Sequence, residues 1–212
     1  MYEDAVSSYK EAIKLKPNTA CYYSNKANTL NQLKRYDEAL ESANAALKID
    51  FNYSHAKGVK AYALSLAVQK QQKELSSEDC IFLKKTLLGN ELSHKKNACL
   101  ALRYAAENKQ KLSNQGILGL EKALFDNNGD IINNAANAFY YISKQGNKLS
   151  KNAILGLEKA LQTIDARWNA SAALSEAADF NKQKLPDTTL DTLARAIIKF
   201  CVWRLEFNFN EG

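Results

Sequence analysis

Apolar residues recur along this chain at intervals of three and four, and no stretch alternates apolar with polar positions for long. The pattern predicts helices rather than strands. Ala5, Tyr9, Ala12 and Ile13 form one stripe, and Ala39, Ala43, Ala46 and Leu47 repeat it. The segments that carry the stripes, 2–17 and 36–51, both open with Tyr, two acids and Ala, and they are offset by 34 residues. Small residues at these positions let neighbouring helices approach closely. Pro17 cannot continue a helix and, with Asn18, ends the first one. Residues 53–72 supply a long helix that would cover the pair.

A second period begins at Leu75. The dipeptides Leu75-Ser76, Leu112-Ser113, Leu149-Ser150 and Leu185-Pro186 are separated by 37, 37 and 36 residues. Behind each lies one helical stripe: Cys80, Leu83, Leu87; Ile117, Leu120, Leu124; Ile154, Leu157, Leu161; Leu190, Leu193, Ile197. Ser76, Ser113 and Ser150 are expected to cap the helix starts, and Pro186 suits a first turn because its missing N–H is not needed there. The second helices also align, on Asn97-Ala98, Asn134-Ala135 and Asn169-Ala170. A fixed period of this size marks an array whose units bury their cores by stacking. The recurrent Asn97, Asn134 and Asn169 could form a ladder that holds an extended peptide; the favoured reading is structural, each bonded to backbone or to a neighbouring repeat.

The first register resembles the tetratricopeptide repeat. Tyr23 falls where that family prefers Trp, Ala27 at its Gly, Leu30 at its Tyr, Ala39 and Ala46 at its small positions, and Pro17 at its closing Pro; Lys26, Ala43 and Phe51 depart from the consensus. The likeness covers one full repeat, about 18–51, preceded by the second helix of another, so the chain reads as entering an array midway. It implies a binding groove lined by first helices, here Cys21, Ser24, Asn25, Asn28, Asn31 and Gln32. The run Tyr23-Ser24-Asn25-Lys26-Ala27 is similar to the Tyr-Ser-Asn-Arg-Ala of co-chaperone repeats, which clamp the terminal carboxylate of chaperone tails. Asn25 matches the clamp Asn, but the next Lys and Arg positions fall on His55 and Val59, which supply no fixed positive charge. A polar groove face is the favoured reading.

The later register resembles HEAT and armadillo-like repeats, with Asp165 and Arg167 in an Asp-x-Arg second-helix pattern. Exposed second-helix positions make a further set of candidates: Arg103, Tyr104, Tyr140, Tyr141, Arg167 and Trp168. Aromatic residues with Arg are the composition of binding hot spots, although Tyr and Trp at such spacings also pack between repeats. The expected fold is all-α, a right-handed α-solenoid of antiparallel helix pairs. It divides into tetratricopeptide-like 1–72 and HEAT-like 73–212. The apolar segment Phe200–Phe209 does not repeat the second-helix pattern; it reads either as an end cap or as the start of sequence that continues beyond it, and the alternation of Leu205, Phe207 and Phe209 also allows a short strand.

Composition narrows function by exclusion. The chain has 212 residues, 25% of them charged and 46% hydrophobic, with 8 Gly and 2 Pro, which suits an ordered helical protein. No apolar run approaches membrane-spanning length, and the first residues lack the order of a signal peptide, so a cytoplasmic location is expected. Four cysteines stand far apart, which suits reduced core thiols rather than zinc or disulfides. No phosphate loop, dinucleotide fingerprint or zinc-protease motif is present. His55 and His94 lie in different registers, and Glu121 and Glu158, beside Lys122 and Lys159, read as a solvated face. The expectation is therefore a scaffold without catalysis or cofactor that binds a protein or peptide along its groove. The net charge of +6 keeps a nucleic-acid-binding module as an alternative, beside a regulatory arm of a larger enzyme. No residue pattern specifies the ligand or an oligomeric state.

Overall fold

The computed structural model describes residues 1–179 and 181–209, with side chains described through residue 198. Among these residues there is no strand and there are eleven helices. They are α1 (Tyr2–Leu15), α2 (Ala20–Gln32), α3 (Tyr36–Ile49), α4 (Ser54–Gln71), α5 (Ser77–Leu87), α6 (Leu92–Glu107), α7 (Asn114–Ala123), α8 (Gly129–Lys144), α9 (Lys151–Ala160), α10 (Arg167–Asp179) and α11 (Asp187–Phe209). The chain divides into two compact units, Met1–Ala105 and Ala106–Gly212.

In the first unit α2 packs extensively on α3, and α4 covers both, as expected for 53–72. Ala27, Ala39, Ala43 and Ala46 have no exposed surface. Their small side chains let the backbones come close enough for Ser42 Oγ of α3 to donate to the Tyr23 carbonyl of α2 at 2.9 Å. Exposed charge adds two ties. Arg35 donates to Glu38 at 2.6 Å and reaches Glu3 of α1 at 3.1 Å. Lys73 meets Asp37 at 2.9 Å.

In the second unit α7, α9 and α11 stack side by side, α8 stacks on α10, and successive helices bridge the two layers. Leu120, Leu124, Leu157 and Leu161 fill the space between layers and are essentially inaccessible. Close approach of α7 and α9 needs Gly156, where a Cβ would come within 2.7 Å of Leu124 Cβ. The last stripe departs from expectation. Leu193 is buried, but Leu190 and Ile197 are 43% and 42% exposed. α11 packs inward on α9 and α10, and among the described residues no helix lies on its far side. The backbone is helical through Phe209, so the strand alternative does not form; the end-cap reading rests on side chains outside the described residues.

Helix ends follow the predicted chemistry. Ser76 Oγ accepts from the Asp79 N–H at 3.0 Å while the Asp79 carboxylate accepts from the Ser76 N–H at 3.1 Å, a reciprocal cap. Ser150 accepts from the Ala153 N–H at 3.0 Å and Ser113 from the Gly116 N–H at 3.5 Å. Pro186 stands just before α11, and its carbonyl accepts the Leu190 N–H at 3.1 Å. The opposite ends carry a signal that the sequence hides. Lys34, Gln72, Lys109, Gly146 and Lys182, which follow α2, α4, α6, α8 and α10, all take left-handed φ, between 47° and 82°. An adjacent amide then donates back into the last turn, as Lys73 does to Ala67 and Gln183 to Ala177. Only one of the five is the glycine that this conformation favours.

Candidate functional site

Helical periodicity sorts the predicted groove residues of α2 into two faces. Cys21, Asn25, Asn28 and Gln32 share one stripe, with Asn28 and Gln32 exposed and the other two half-buried. Ser24 and Asn31 do not belong to it. They lie with Ala27 and Leu30 on the packed face, 0% and 4% exposed. Ser24 Oγ donates to the Cys21 carbonyl at 3.1 Å, which satisfies a hydroxyl shut away from any ligand. The Asn31 amide is buried with neither its nitrogen nor its oxygen hydrogen-bonded. The groove on this helix is thus the four-residue stripe. His55 is exposed and Val59 buried, so neither places a cation beside Asn25.

The second-helix candidates are held largely by neighbouring repeats and by residues of their own helix pair. Gln69 donates to Tyr104 Oη at 2.6 Å, and Tyr141 Oη donates to Glu107 at 3.2 Å. Tyr104 and Tyr141 stand 37 residues apart, so one hydroxyl bond to the preceding second helix recurs with the period. The Arg103 guanidinium lies 4.3 Å from the Tyr104 ring centroid, and Tyr140 and Tyr141 have ring centroids 5.2 Å apart. Arg167 donates from Nε to the Leu161 carbonyl at 2.9 Å, closing the α9–α10 turn. Trp168, 65% exposed, is the candidate of this set most open to a partner.

Polar side chains that looked like surface prove to join repeats. Glu121 is only 6% exposed and accepts a hydrogen bond from the Ser150 hydroxyl. Glu158 likewise accepts from Thr189, which is fully buried. This overturns the solvated-face reading: each carboxylate reaches from one first helix to the start of the next, a distance set by stacking. The recurrent Asn residues behave as expected where bonds are resolved. Asn134 donates to its own helix at Asp130, while Asn169 accepts from Asn137 at 2.9 Å and donates to Asn133 at 2.7 Å.

Sequence reasoning missed a cavity of about 900 Å³ in the first unit, lined by parts of α3, α4 and α5, the α3–α4 turn and the start of α6. His94 edges it with the ring pressed on Gly58, where a Cβ would fall 2.2 Å from Nε2. Burial pushes its pKa below the ordinary 6.5, with His55 and Lys57 adding to the effect and Glu91 opposing it. Lys60 projects its ammonium 4.4 Å from the Phe82 ring centroid, and burial lowers its pKa too, against the pull of Asp79 and Glu78. The signal was available: at the 34-residue offset, Lys57 and Lys60 stand where α2 carries Tyr23 and Lys26. Among the described residues no group of His, Cys, Asp and Glu could hold a metal ion, and no helix is long and apolar enough to cross a membrane. Cys80 and Cys99 are buried thiols, which fits their packing positions.

Comparison with known proteins covers only part of the chain. The chain is 46% identical over 52 residues to the small glutamine-rich tetratricopeptide repeat-containing protein 2 of Saccharomyces cerevisiae, covering 24% of this chain and 15% of the relative. It is 40% identical over 52 residues to mouse DnaJ homolog subfamily C member 7, covering 24% and 10%. It is 48% identical over 48 residues to the STIP1 homolog of Dictyostelium discoideum, covering 23% and 8%. The chain thus spans less than a fifth of the length of these relatives. No solved structure matches it. The tetratricopeptide-repeat family model matches residues 22–53. That stretch, from within α2 through α3 to the start of α4, is a tetratricopeptide repeat.

Proposed function

We propose that the chain is an adaptor that binds a protein partner through an extended segment laid along the α2 stripe of Cys21, Asn25, Asn28 and Gln32. The observation that carries this reading is the repeat at 22–53, whose first helix buries one face completely and leaves a polar one open. Asparagine and glutamine amides offer donors and acceptors together, which suits the backbone of an extended peptide. Likeness to the DnaJ and STIP1 homologs supports an adaptor of the co-chaperone class. A clamp on a terminal carboxylate is not part of the proposal, because His55 and Val59 lack its charges.

We assign residues 75–200 to HEAT-like repeats. Support comes from the 36–37-residue period and the two-layer stacking of α7 to α11. These repeats follow the tetratricopeptide-like part, about 1–72, along the chain and offer Trp168 as a second contact. Affinity capture with mass spectrometry tests the reading. Partners retained by the parent are expected to be lost when Asn28→Asp and Gln32→Glu are combined, and kept by Lys122→Glu on an exposed helix face. Capture indifferent to the α2 pair, or abolished by nuclease, overturns it.

A further inference from the structure

The contact between α4 and α5 is slight, whereas α2 lies extensively on α3. Three residues separate α2 from α3, and five separate α4 from α5. The longer link lets α5 stand off, and the 900 Å³ cavity occupies the space beside it. All its lining belongs to the first unit, and no residue of the α2 stripe contributes.

Its chemistry is unspent. Phe51 and Ile81 are 66% and 39% exposed although both line the cavity. Lys57 and Lys85 hold their ammonium groups 5.2 and 5.9 Å from the Phe51 centroid, and Lys60 sits over Phe82. Among the described residues none of these three lysines makes an ion pair. Asp79, the carboxylate pulling most on Lys60, is already engaged by the Ser76 N–H and hydroxyl. Lys60 is thus partly desolvated and feels Asp79 and Glu78 without an ion-pair contact to either, an arrangement that favours a carboxylate brought by a ligand.

We propose that this cavity is a second docking site, which takes an acidic peptide segment with a carboxylate on Lys60 and an apolar side chain against Phe51 and Ile81. Glu78, Asp79 and Glu91 share the lining. They oppose a polyphosphate strand, whose charge is continuous, but tolerate a peptide, whose charge is local and whose N–H groups they can accept. A cleft of this volume holds several residues rather than one side chain. The site goes beyond the α2 reading and stands or falls separately from it.

The test uses the full chain and fluorescence anisotropy with a fluorescein-labelled hexapeptide, Asp-Asp-Leu-Phe-Asp-Asp. Its analogue with Lys in place of every Asp is the control. Binding of the acidic peptide is expected, weakened roughly tenfold or more by Lys60→Met and by Ile81→Asp, and reduced at about 0.5 M salt. Asn28→Asp in the α2 stripe should leave it unchanged. Amide NMR shifts caused by the peptide should map to Phe51, Lys60, Ile81 and His94, which keeps the proposal testable if one variant folds poorly. Four outcomes overturn it: no binding, equal binding of the lysine analogue, indifference to Lys60→Met, or a DNA hexamer that binds the site as well as the peptide does.

Discussion

The α4–α5 junction and the α7–α11 stack are built from the same residue types and put them to opposite uses. In the stack, Glu121 and Glu158 close on hydroxyls of the next first helix, and Asn169 closes on Asn133 and Asn137. Near the junction, Glu78 lines the cavity wall, and Lys57, Lys60 and Lys85 rest on aromatic rings. A regular period lets a carboxylate meet a hydroxyl at two successive steps, from α7 to α9 and from α9 to α11, so charge becomes mortar. Where the 34-residue register gives way to the 37-residue one, the match fails and charge is left for a ligand.

The sharpest way to break this contrast is at the core of the stack. Leu120→Asp places an unpaired carboxylate between layers and should cost about 3 kcal/mol or more. Thermal melting by circular dichroism should show loss of cooperative structure; melting with the parent would sink the core assignment. Next comes the carboxylate pair. Glu121→Ala is expected to cost about 1–3 kcal/mol, because the Ser150 hydroxyl loses its acceptor in a part-buried place. Glu78→Ala should stay within about 0.5 kcal/mol. A double-mutant cycle with Ser150→Ala should return a coupling above about 0.5 kcal/mol, and additivity would remove the bond from the account.

Smaller effects belong to the cavity. Lys60→Met keeps the stem against Phe82 and relieves a partly buried charge, so the melting temperature should hold or rise. A clear fall would mean that the ammonium stabilises the fold. The last prediction concerns pH. Burial holds the folded pKa of His94 below 6.5, so the unfolded chain takes up a proton first as pH falls. The stability linked to this group is full above about 6.5 and declines through the window just below it. His94→Gln should flatten that decline just below pH 6.5; parallel curves for parent and variant would refute the linkage.

Much of the architecture was legible because it is local. The stripes through Leu83, Leu120 and Leu157, the serine caps and the stop at Pro17 each depend on residues within a turn or two. What escaped depends on the stack. The partner of Glu121 lies 29 residues away and that of Glu158 31, distances that no helical period supplies. The α2 stripe was half legible. Asn25, Asn28 and Gln32 followed the family resemblance onto the open face, whereas applying the 3.6-residue period would have turned Ser24 and Asn31 inward beforehand. The cavity left only one trace, Lys57 and Lys60 at positions where α2 carries an aromatic and a lysine.

One lacing of the second unit reaches beyond stability. The Gln145 amide donates to the Ala106 carbonyl at 2.7 Å, and the Asn181 amide donates to the Ser143 carbonyl at 2.8 Å. The two acceptors are 37 residues apart, one period of the array. If residues 113–149 were excised, the donor of the later turn would meet the acceptor of the earlier one, with the same kind of bond remade. Length is therefore a variable that this part of the chain can change in whole steps, by duplication or deletion, without inventing a new joint.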